Sequence, residues 1–456
     1  MNPVNTVVVY GATGHTGRFV VEELLRRAIP TTIAGRNPST LTALTRQVAL
    51  PRRTALPDQL ALPDQAAMDG TQAWDRAAIT PAAVDDPRTL DRVAIAPAAV
   101  DDPGALDRAF AREWDRAAIT PAAVDDPRAL DRAAIAPAAV DDPRALDQVA
   151  IVPAAVDDRR ALDGAFARQW DRVAIASAAV DDPGALDRAF AGQAAVINCA
   201  GPFALTAIPV LEAAARNGVP YVDVAAELEA NVTTLGHPSA SRAVPACAFF
   251  GGLADLLAAA ALDGDTKADR IEVAYGLPSW HPTPGTRVAG EVSHERRGGR
   301  RVRFTDGQLR YHQDAPVHLD WTFPEPLGRR RVIAEFSMAD IVTIPSHIDV
   351  SEVRSLMTVD AAADLADPNT PAPVAVDALG RSEQTFVVDV RVHTGGVERR
   401  AIARGQDIYA ISAPLAVEAV QRLLDGRTRS TGVASAGAMF DAADFLNALP
   451  LEVEVH

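Results

Sequence analysis

The stretch VVVYGATGHTG, Val7 to Gly17, decides how the chain reads. Val7 to Tyr10 is a short apolar run of the kind that forms a parallel strand buried on both faces. Gly11, Gly14 and Gly17 follow at three-residue spacing, and RFVVEELLRR, Arg18 to Arg27, carries the apolar rhythm of a helix. Strand, glycine turn and helix in that order are the context of a dinucleotide-binding loop. Gly11 supplies a backbone conformation that a side chain would obstruct. Gly14 lets the main chain approach a pyrophosphate, and Gly17 lets the helix lie close to the strand. Free N–H groups at the helix start then face the phosphates, and the helix dipole favours their charge. The loop Gly11, Ala12, Thr13, Gly14, His15, Thr16 and Gly17 is therefore the first candidate cofactor site.

The next segment chooses the cofactor. PTTIAG, Pro30 to Gly35, reads as the second strand, and Gly35, Arg36 and Asn37 stand at its end. An NAD site places an acid here for the ribose 2′-OH. This chain offers none, and an arginine pairs well with a phosphate, so NADP(H) is favoured over NAD(H). Ser39 or Thr40 is expected near the cap of a helix over residues 38 to 50, followed by a loop over residues 51 to 72.

Composition limits the alternatives. The chain has 456 residues, 48% hydrophobic, enough for sizeable cores. A formal charge of −16 disfavours nucleic acid and anionic membrane as partners. Met1 to Thr6 lacks the basic region of a secretory signal, and no run approaches the length of a membrane span. Two cysteines, Cys199 and Cys247, give neither a disulfide framework nor a metal spacing, so a reducing cytoplasm is the expected setting. Lys267 is the only lysine, and no tyrosine has a lysine four residues on, so a tyrosine–lysine dehydrogenase pair is absent.

A tandem repeat occupies residues 73 to 192. VDDP or VDDR begins at Val84, Val100, Val124, Val140, Val156 and Val180. Each unit joins a short apolar run to Asp-Asp-Pro and then ALDR or a close variant. Asp before Pro is a good helix start, so one unit reads as strand, cap and helix. A stacked array and an expansion of one native unit both fit. Near-identical copies and prolines inside the apolar runs favour expansion. The last copy, Val173 to Phe190, has Ser177 in place of proline and is the expected native unit.

AAVINCAGPF, Ala194 to Phe203, reads as a strand ending at Asn198 with a Gly-Pro turn beyond it. Ligands lie beyond the carboxyl ends of such strands. Cys199, Ala200, Gly201, Pro202 and Phe203 are therefore candidate cofactor contacts, with Cys199 packing as a small apolar residue. Ala204 to Asn217 reads as a helix. PYVDV, Pro220 to Val224, and VPACAFF, Val244 to Phe250, read as further strands, with Asp223, Glu227 and Glu229 at or beyond the end of the first. A helix follows from about Leu253.

GATGHTG at 11–17, AGR at 34–36, DDPGAL at 181–186, NCAGPF at 198–203 and YVDVAAE at 221–227 together resemble the saccharopine dehydrogenase-like NADP-binding family. Within it, the trans-acting enoyl reductase-like branch is the nearest. The resemblance covers the first domain well and the rest loosely, through GTRVAGE at 285–291 and GQDIYAISAPLAVEAVQRLL at 405–424. It implies an α/β fold: a Rossmann-type doubly wound parallel sheet with an inserted second α/β domain and a C-terminal return to the first. The expected division is 1–265, 266–404 and 405–456. The repeats depart from the family pattern; Asp181 and Asp182 are the pair expected near the adenine. A homodimer through the second-domain sheet is a further implication.

In the middle region Ile271 to Tyr275 is strand-like. Gly298-Gly299 and Gly395-Gly396 read as turns between β arms, over Gly290 to Phe304 and Thr385 to Ala403. Arg296, Arg297, Arg300, Arg301 and Arg303 flank the first turn as a solvated tip, or as a contact for an acidic substrate group. Ile408 to Leu424 and Ser435 to Leu449 read as helices. Proton-donor candidates are His281, His294, Tyr311, His312, His347 and Asp223, with none preferred. No histidine spacing indicates a metal. The leading expectation is an NADP(H)-dependent oxidoreductase acting on a C=C or C=N bond of a small or carrier-linked substrate. The alternative is a non-catalytic NADP-binding regulator or scaffold. An open polar cleft favours the first and a cleft filled by apolar side chains the second.

Overall fold

The structure, a computed structural model, describes residues 5–48 and 173–456. The loop over 51–72 and all repeat copies before the last lie outside the described residues.

The first sheet is parallel throughout. Its strands are β1 (Val7–Tyr10), β2 (Thr31–Gly35), β3 (Val173–Ser177), β4 (Ala195–Asn198), β5 (Tyr221–Asp223) and β6 (Ala243–Val244), in the order β3-β2-β1-β4-β5-β6. All of β1 is buried, as a strand covered on both faces must be. The connecting helices are α1 (His15–Arg26), α2 (Pro38–Val48), α3 (Pro183–Phe190), α4 (Phe203–Arg216) and α5 (Leu228–Leu235). The strand order reverses between β1 and β4, which opens a crevice at their carboxyl ends. The last repeat copy supplies β3 and α3. Asp182 caps α3 by accepting from Ala185 N–H at 2.9 Å, and Pro183 opens its first turn.

Beyond β6 the chain makes a tight turn and a kinked stretch over Phe249–Leu253, in which Phe250 and Gly251 leave helical backbone, then enters α6 (Ala254–Leu262). The apolar run Val244 to Phe250 is therefore not one strand. Ala246 takes φ 51° and Gly251 φ 92°, and a buried carboxylate, Asp223, holds the Ala246 N–H at 2.8 Å. The second sheet is mixed and, among the described residues, has nine strands. Its members are β7 (Lys267–Gly276), β8 (Arg301–Thr305), β9 (Gln308–His312), β10 (Val317–Thr322), β11 (Arg329–Ala334), β12 (Asp349–Thr358), β13 (Thr385–Thr394), β14 (Val397–Gln406) and β15 (Glu452–Val455). The path runs β10-β11-β12-β7-β13-β14-β15, with β8 on β12 and β9 on β8. Gly395-Gly396 forms the β13–β14 hairpin as expected.

The Gly298-Gly299 pair does not join two strands. Residues 284–296 form a helix, α7 (Pro284–Arg296), started by Thr283, whose hydroxyl accepts from Thr286 N–H at 3.1 Å. The two glycines, at φ 60° and 71°, end that helix and lead into β8. A capping threonine followed by proline outweighs the weak strand pattern of this stretch. The remaining helices are α8 (Asp340–Thr343), α9 (Val359–Ala366), α10 (Ser412–Leu424), α11 (Ala436–Met439) and α12 (Ala442–Asn447). The C-terminal stretch thus holds two short helices and then a strand, β15.

One buried cluster runs from Val7 and Val9 of the first sheet through α6 to Ile271 and Val390 of the second. The opposite face of the first sheet packs on α3 and α4 in a separate cluster. α10 lies against α1, and Arg27 ties them by pairing with Glu418 at 2.8 Å and bonding Gln421. No described helix is long and apolar enough to cross a membrane.

Candidate active site

The sharp turn after β1 is set by Gly11, at φ 81°, whose N–H donates to Ala34 O at 2.9 Å. A Cβ there would lie 2.6 Å from Ala200 N, so this glycine fixes how closely the β1 and β4 loops approach. A Cβ on Gly17 would collide with Gly11 O and stand 2.9 Å from Ala12 Cα, which is the close helix–strand approach read from the spacing. Gly14 is the N-cap of α1 and offers no side-chain cap, and the first turn carries no acid. The start of α1 therefore presents uncapped N–H groups and a positive dipole end.

The start of α4 is different. Phe203 N–H and Ala204 N–H donate to the two carboxylate oxygens of Glu227, at 2.7 and 2.9 Å. That anion position is filled by the chain's own carboxylate. Burial pushes the Glu227 carboxyl up, against the two N–H donors.

Both loops open into one cavity of about 1170 Å³. Gly11, Thr13, Gly14, His15 and Thr16 line it on one side, and Cys199, Ala200, Gly201, Pro202 and Phe203 on another. Ala12 and Gly17 are buried behind the loop. Gly35 and Arg36 also line the cavity. The exposed Arg36 guanidinium has no hydrogen bond or ion pair among the described residues. Asn37 is spent elsewhere: its Oδ1 accepts from Ser39 N–H at 3.0 Å and from Ser39 Oγ at 2.7 Å, so it, not Ser39 or Thr40, caps α2. Val180 lines the cavity while Asp181 and Asp182 do not. Burial and the Asp223 carboxylate push the Cys199 thiol well above its ordinary range, so it packs as a neutral group.

Apart from His294 and Arg297, the opposite wall comes from residues that the sequence did not single out as site candidates. Phe249, Phe250, Trp280, Phe336, Met338 and Ile408 give it an apolar floor. α7 supplies Thr286, Arg287, Gly290, Ser293 and His294, and Arg297 lines the cavity just past its end. Of the six proton-donor candidates, His294 alone reaches the cavity. Tyr311 lies under the Arg300 guanidinium at 4.9 Å, and His347 pairs with Asp255 at 2.7 Å. His312 stands between Asp314 and Glu335, and His281 donates its backbone N–H to Gln384. Asp223 is buried and holds Ala225 N–H, Ala246 N–H and the Tyr221 hydroxyl at 2.8–3.0 Å. The arginines of the 296–303 stretch are not a hairpin tip. Arg297 bonds Ser293 Oγ, and Arg301 donates to the carbonyls of Ala334 and Glu335.

Tyr409 was legible only as part of a helix start. Its hydroxyl accepts from Trp280 Nε1 at 3.0 Å and from Thr283 N–H at 3.2 Å, and meets Thr286 Oγ1 at 3.0 Å. Its ring stands edge-on to His15, with centroids 5.1 Å apart.

Behind the apolar floor, Asp340 holds the Gly251 turn. Its Oδ1 accepts from Gly251 N–H at 2.8 Å and from the Tyr275 hydroxyl at 2.7 Å, and its Oδ2 from Ser355 Oγ at 2.9 Å. Burial pushes this carboxyl from 3.8 up to about 6, against those donors. Between about pH 4 and 6 the folded chain therefore holds more protons than the unfolded one, and stability falls as pH rises through that window. The ionised group costs about 3 kcal/mol at neutral pH. Asp340→Asn is expected to gain stability relative to wild type across the same window, read from urea unfolding at several pH values. Parallel pH profiles for the two proteins would contradict this.

Residues 134–245 match the family model described as the saccharopine dehydrogenase NADP binding domain. The match includes β3 to β6 and supports NADP(H) as the cofactor; it does not reach the level of a branch. Among solved structures, apo histidine-tagged saccharopine dehydrogenase (L-Glu forming) from Saccharomyces cerevisiae is similar at 9% identity and a TM-score of 0.48, covering 99% of this chain and 100% of that one. No curated protein matches the sequence.

Proposed function

We propose that this chain is an NADP(H)-dependent oxidoreductase that moves a hydride to or from a C=C or C=N bond of a small or carrier-linked substrate. One observation carries the reading: a single cavity joins the uncapped start of α1 and the unpartnered Arg36 to an apolar wall from the second sheet. On this reading the start of α1 beyond Gly14, whose own N–H is bonded to the Gly11 carbonyl at 3.0 Å, holds the pyrophosphate, and Arg36 holds the 2′-phosphate. When bound, NADPH supplies the hydride; the protein supplies position and excludes water. On this reading the described residues of 1–265 form the cofactor part and 266–404 the substrate part, while 405–456 returns to the first through α10 before β15 joins the second sheet.

The wall also speaks to the substrate. Arg287 donates to the carbonyls of Leu365, Asp367 and Thr370, and Arg297 is held by Ser293 and Glu229. Neither guanidinium is left over for a carboxylate, which favours an uncharged, largely apolar substrate over an amino diacid. The open cavity favours the enzyme over the scaffold.

Titration with NADPH and NADH tests the reading. Wild type is expected to prefer NADPH. Arg36→Ala is expected to weaken NADPH binding by roughly tenfold to a hundredfold, the worth of about 1.5–3 kcal/mol of charged hydrogen bonding, with little change for NADH. Equal affinity for both cofactors in wild type would remove the argument from Arg36, and binding of neither would remove the enzyme.

A further inference from the structure

α7 is held in an unusual way. Of its thirteen residues only Ser293 is buried, whereas eleven of the thirteen in α10 are. Hydrophobic packing cannot fix such a helix, and an element with so few buried contacts belongs to the low-stability end of a fold. Polar ties hold it instead. Near its end, Ser293 Oγ donates to Glu229 Oε2 at 2.7 Å, which fastens it to α5 beside the first sheet. In its first turn Arg287 grips the end of α9 and the loop after it through the carbonyls of Leu365, Asp367 and Thr370. At its start the tie is Tyr409.

The protons around Tyr409 can be assigned. The phenol oxygen has two lone pairs and one hydrogen. Trp280 Nε1 and Thr283 N–H take the lone pairs, which leaves the hydrogen two acceptors, Thr286 Oγ1 at 3.0 Å and the His281 carbonyl at 3.5 Å, and the nearer one is Thr286. Thr286 Oγ1 in turn lies 2.9 Å from Thr283 Oγ1, the cap of α7. The hydroxyl therefore gathers the strand exit at Trp280 and the first turn of α7 at one point. The other end of the same side chain rests on His15, in the first turn of α1. One residue thus touches the glycine loop with its ring and the opposite wall with its oxygen.

We propose that Tyr409 is a positioning residue that transmits occupancy of the glycine loop to α7, so that cofactor binding orders the wall of the substrate space. This rests on the cofactor reading above. Opening the start of α7 breaks the ties at the phenol and frees its ring from His15. A ligand that fixes His15 makes that opening costlier, and the gain appears at amides the ligand need not touch.

Hydrogen–deuterium exchange of the full chain, with saturating NADPH as the probe, tests this. In wild type NADPH is expected to slow exchange over residues 11–17 and, by at least threefold, over residues 283–296. Tyr409→Phe keeps the ring on His15 and removes the ties to Trp280, Thr283 and Thr286. Its glycine loop is expected to remain protected by NADPH while α7 exchanges at the rate of the cofactor-free protein. Retained protection of α7 in this variant overturns the proposal, as does a wild type whose loop is protected and whose α7 is not. No protection of the loop itself is a different result: the cofactor reading fails, and this proposal with it. Should Tyr409→Phe fail to fold, Thr286→Val removes the hydroxyl that links the phenol to Thr283 Oγ1 and leaves the Trp280 and Thr283 N–H ties in place. It is then expected to lose at least half of the NADPH-dependent protection of α7, and full protection counts against the proposal.

Discussion

Gly11→Ala is expected to abolish measurable NADPH binding and to destabilise the fold by roughly 3 kcal/mol or more. Two costs combine. The backbone at φ 81° is one that a side chain disfavours, and the new methyl would sit within 2.6–2.8 Å of Ala200 N, Cα and Cβ. The first two are backbone atoms and the third the Cβ of the other loop of the cavity, which Asn198 Oδ1 braces through Ala200 N–H at 3.0 Å. The substitution must therefore push apart the two loops that face the cofactor together. Calorimetric titration with NADPH and urea unfolding measure the two parts. A Gly11→Ala protein that binds NADPH within about threefold of wild type would show that the loops do not need this closeness.

Asp223→Ala is expected to cost roughly 4 kcal/mol or more of stability without the side chain touching the cavity. Three buried donors lose their acceptor at once: Ala225 N–H, Ala246 N–H and the Tyr221 hydroxyl. Asp223→Asn should fall between wild type and alanine. Its oxygen can keep both backbone donors, but its amide faces a tyrosine oxygen that already accepts from Asn198 Nδ2 at 3.2 Å. Urea unfolding gives the order; an asparagine variant weaker than alanine would overturn the account. The same carboxylate holds Ala246 at φ 51°, so the turn from β6 toward the cavity floor should loosen first.

The parts of the fold that were legible are those whose signal is local. β1, the glycine turn and α1 are written within Val7 to Arg27, and the last repeat carries its own strand, aspartate cap and proline. The crevice followed from strand order alone. What was missed depends on contacts far away in sequence. α7 was taken for a β arm because, with only Ser293 buried, it has no apolar stripe to reveal a helical period. Val244 to Phe250 looks like a strand because nothing nearby announces that Asp223 and Asp340 will bend it. Asn37 reads as a cofactor contact in the sequence; in the structure its Oδ1 caps the helix it opens. Tyr409 could not be found from spacing, since its partners lie at His15, Trp280 and Thr283.

The seat of α10 has a bearing on how the protein is made. Glu418 meets Arg27 across a sequence separation of 391 residues, and α10 closes the face of the first sheet that α1 begins. A ribosome delivers the glycine loop first and the helix that covers its sheet nearly last. Until residue 424 has emerged, the face of β4 and β5 that turns away from α4 lacks the cover of α10. Such long-range closure is slow, and it leaves a nascent chain exposed to association with its neighbours. The glycine loop is made long before α10, so the sheet that carries it cannot finish folding until that helix arrives.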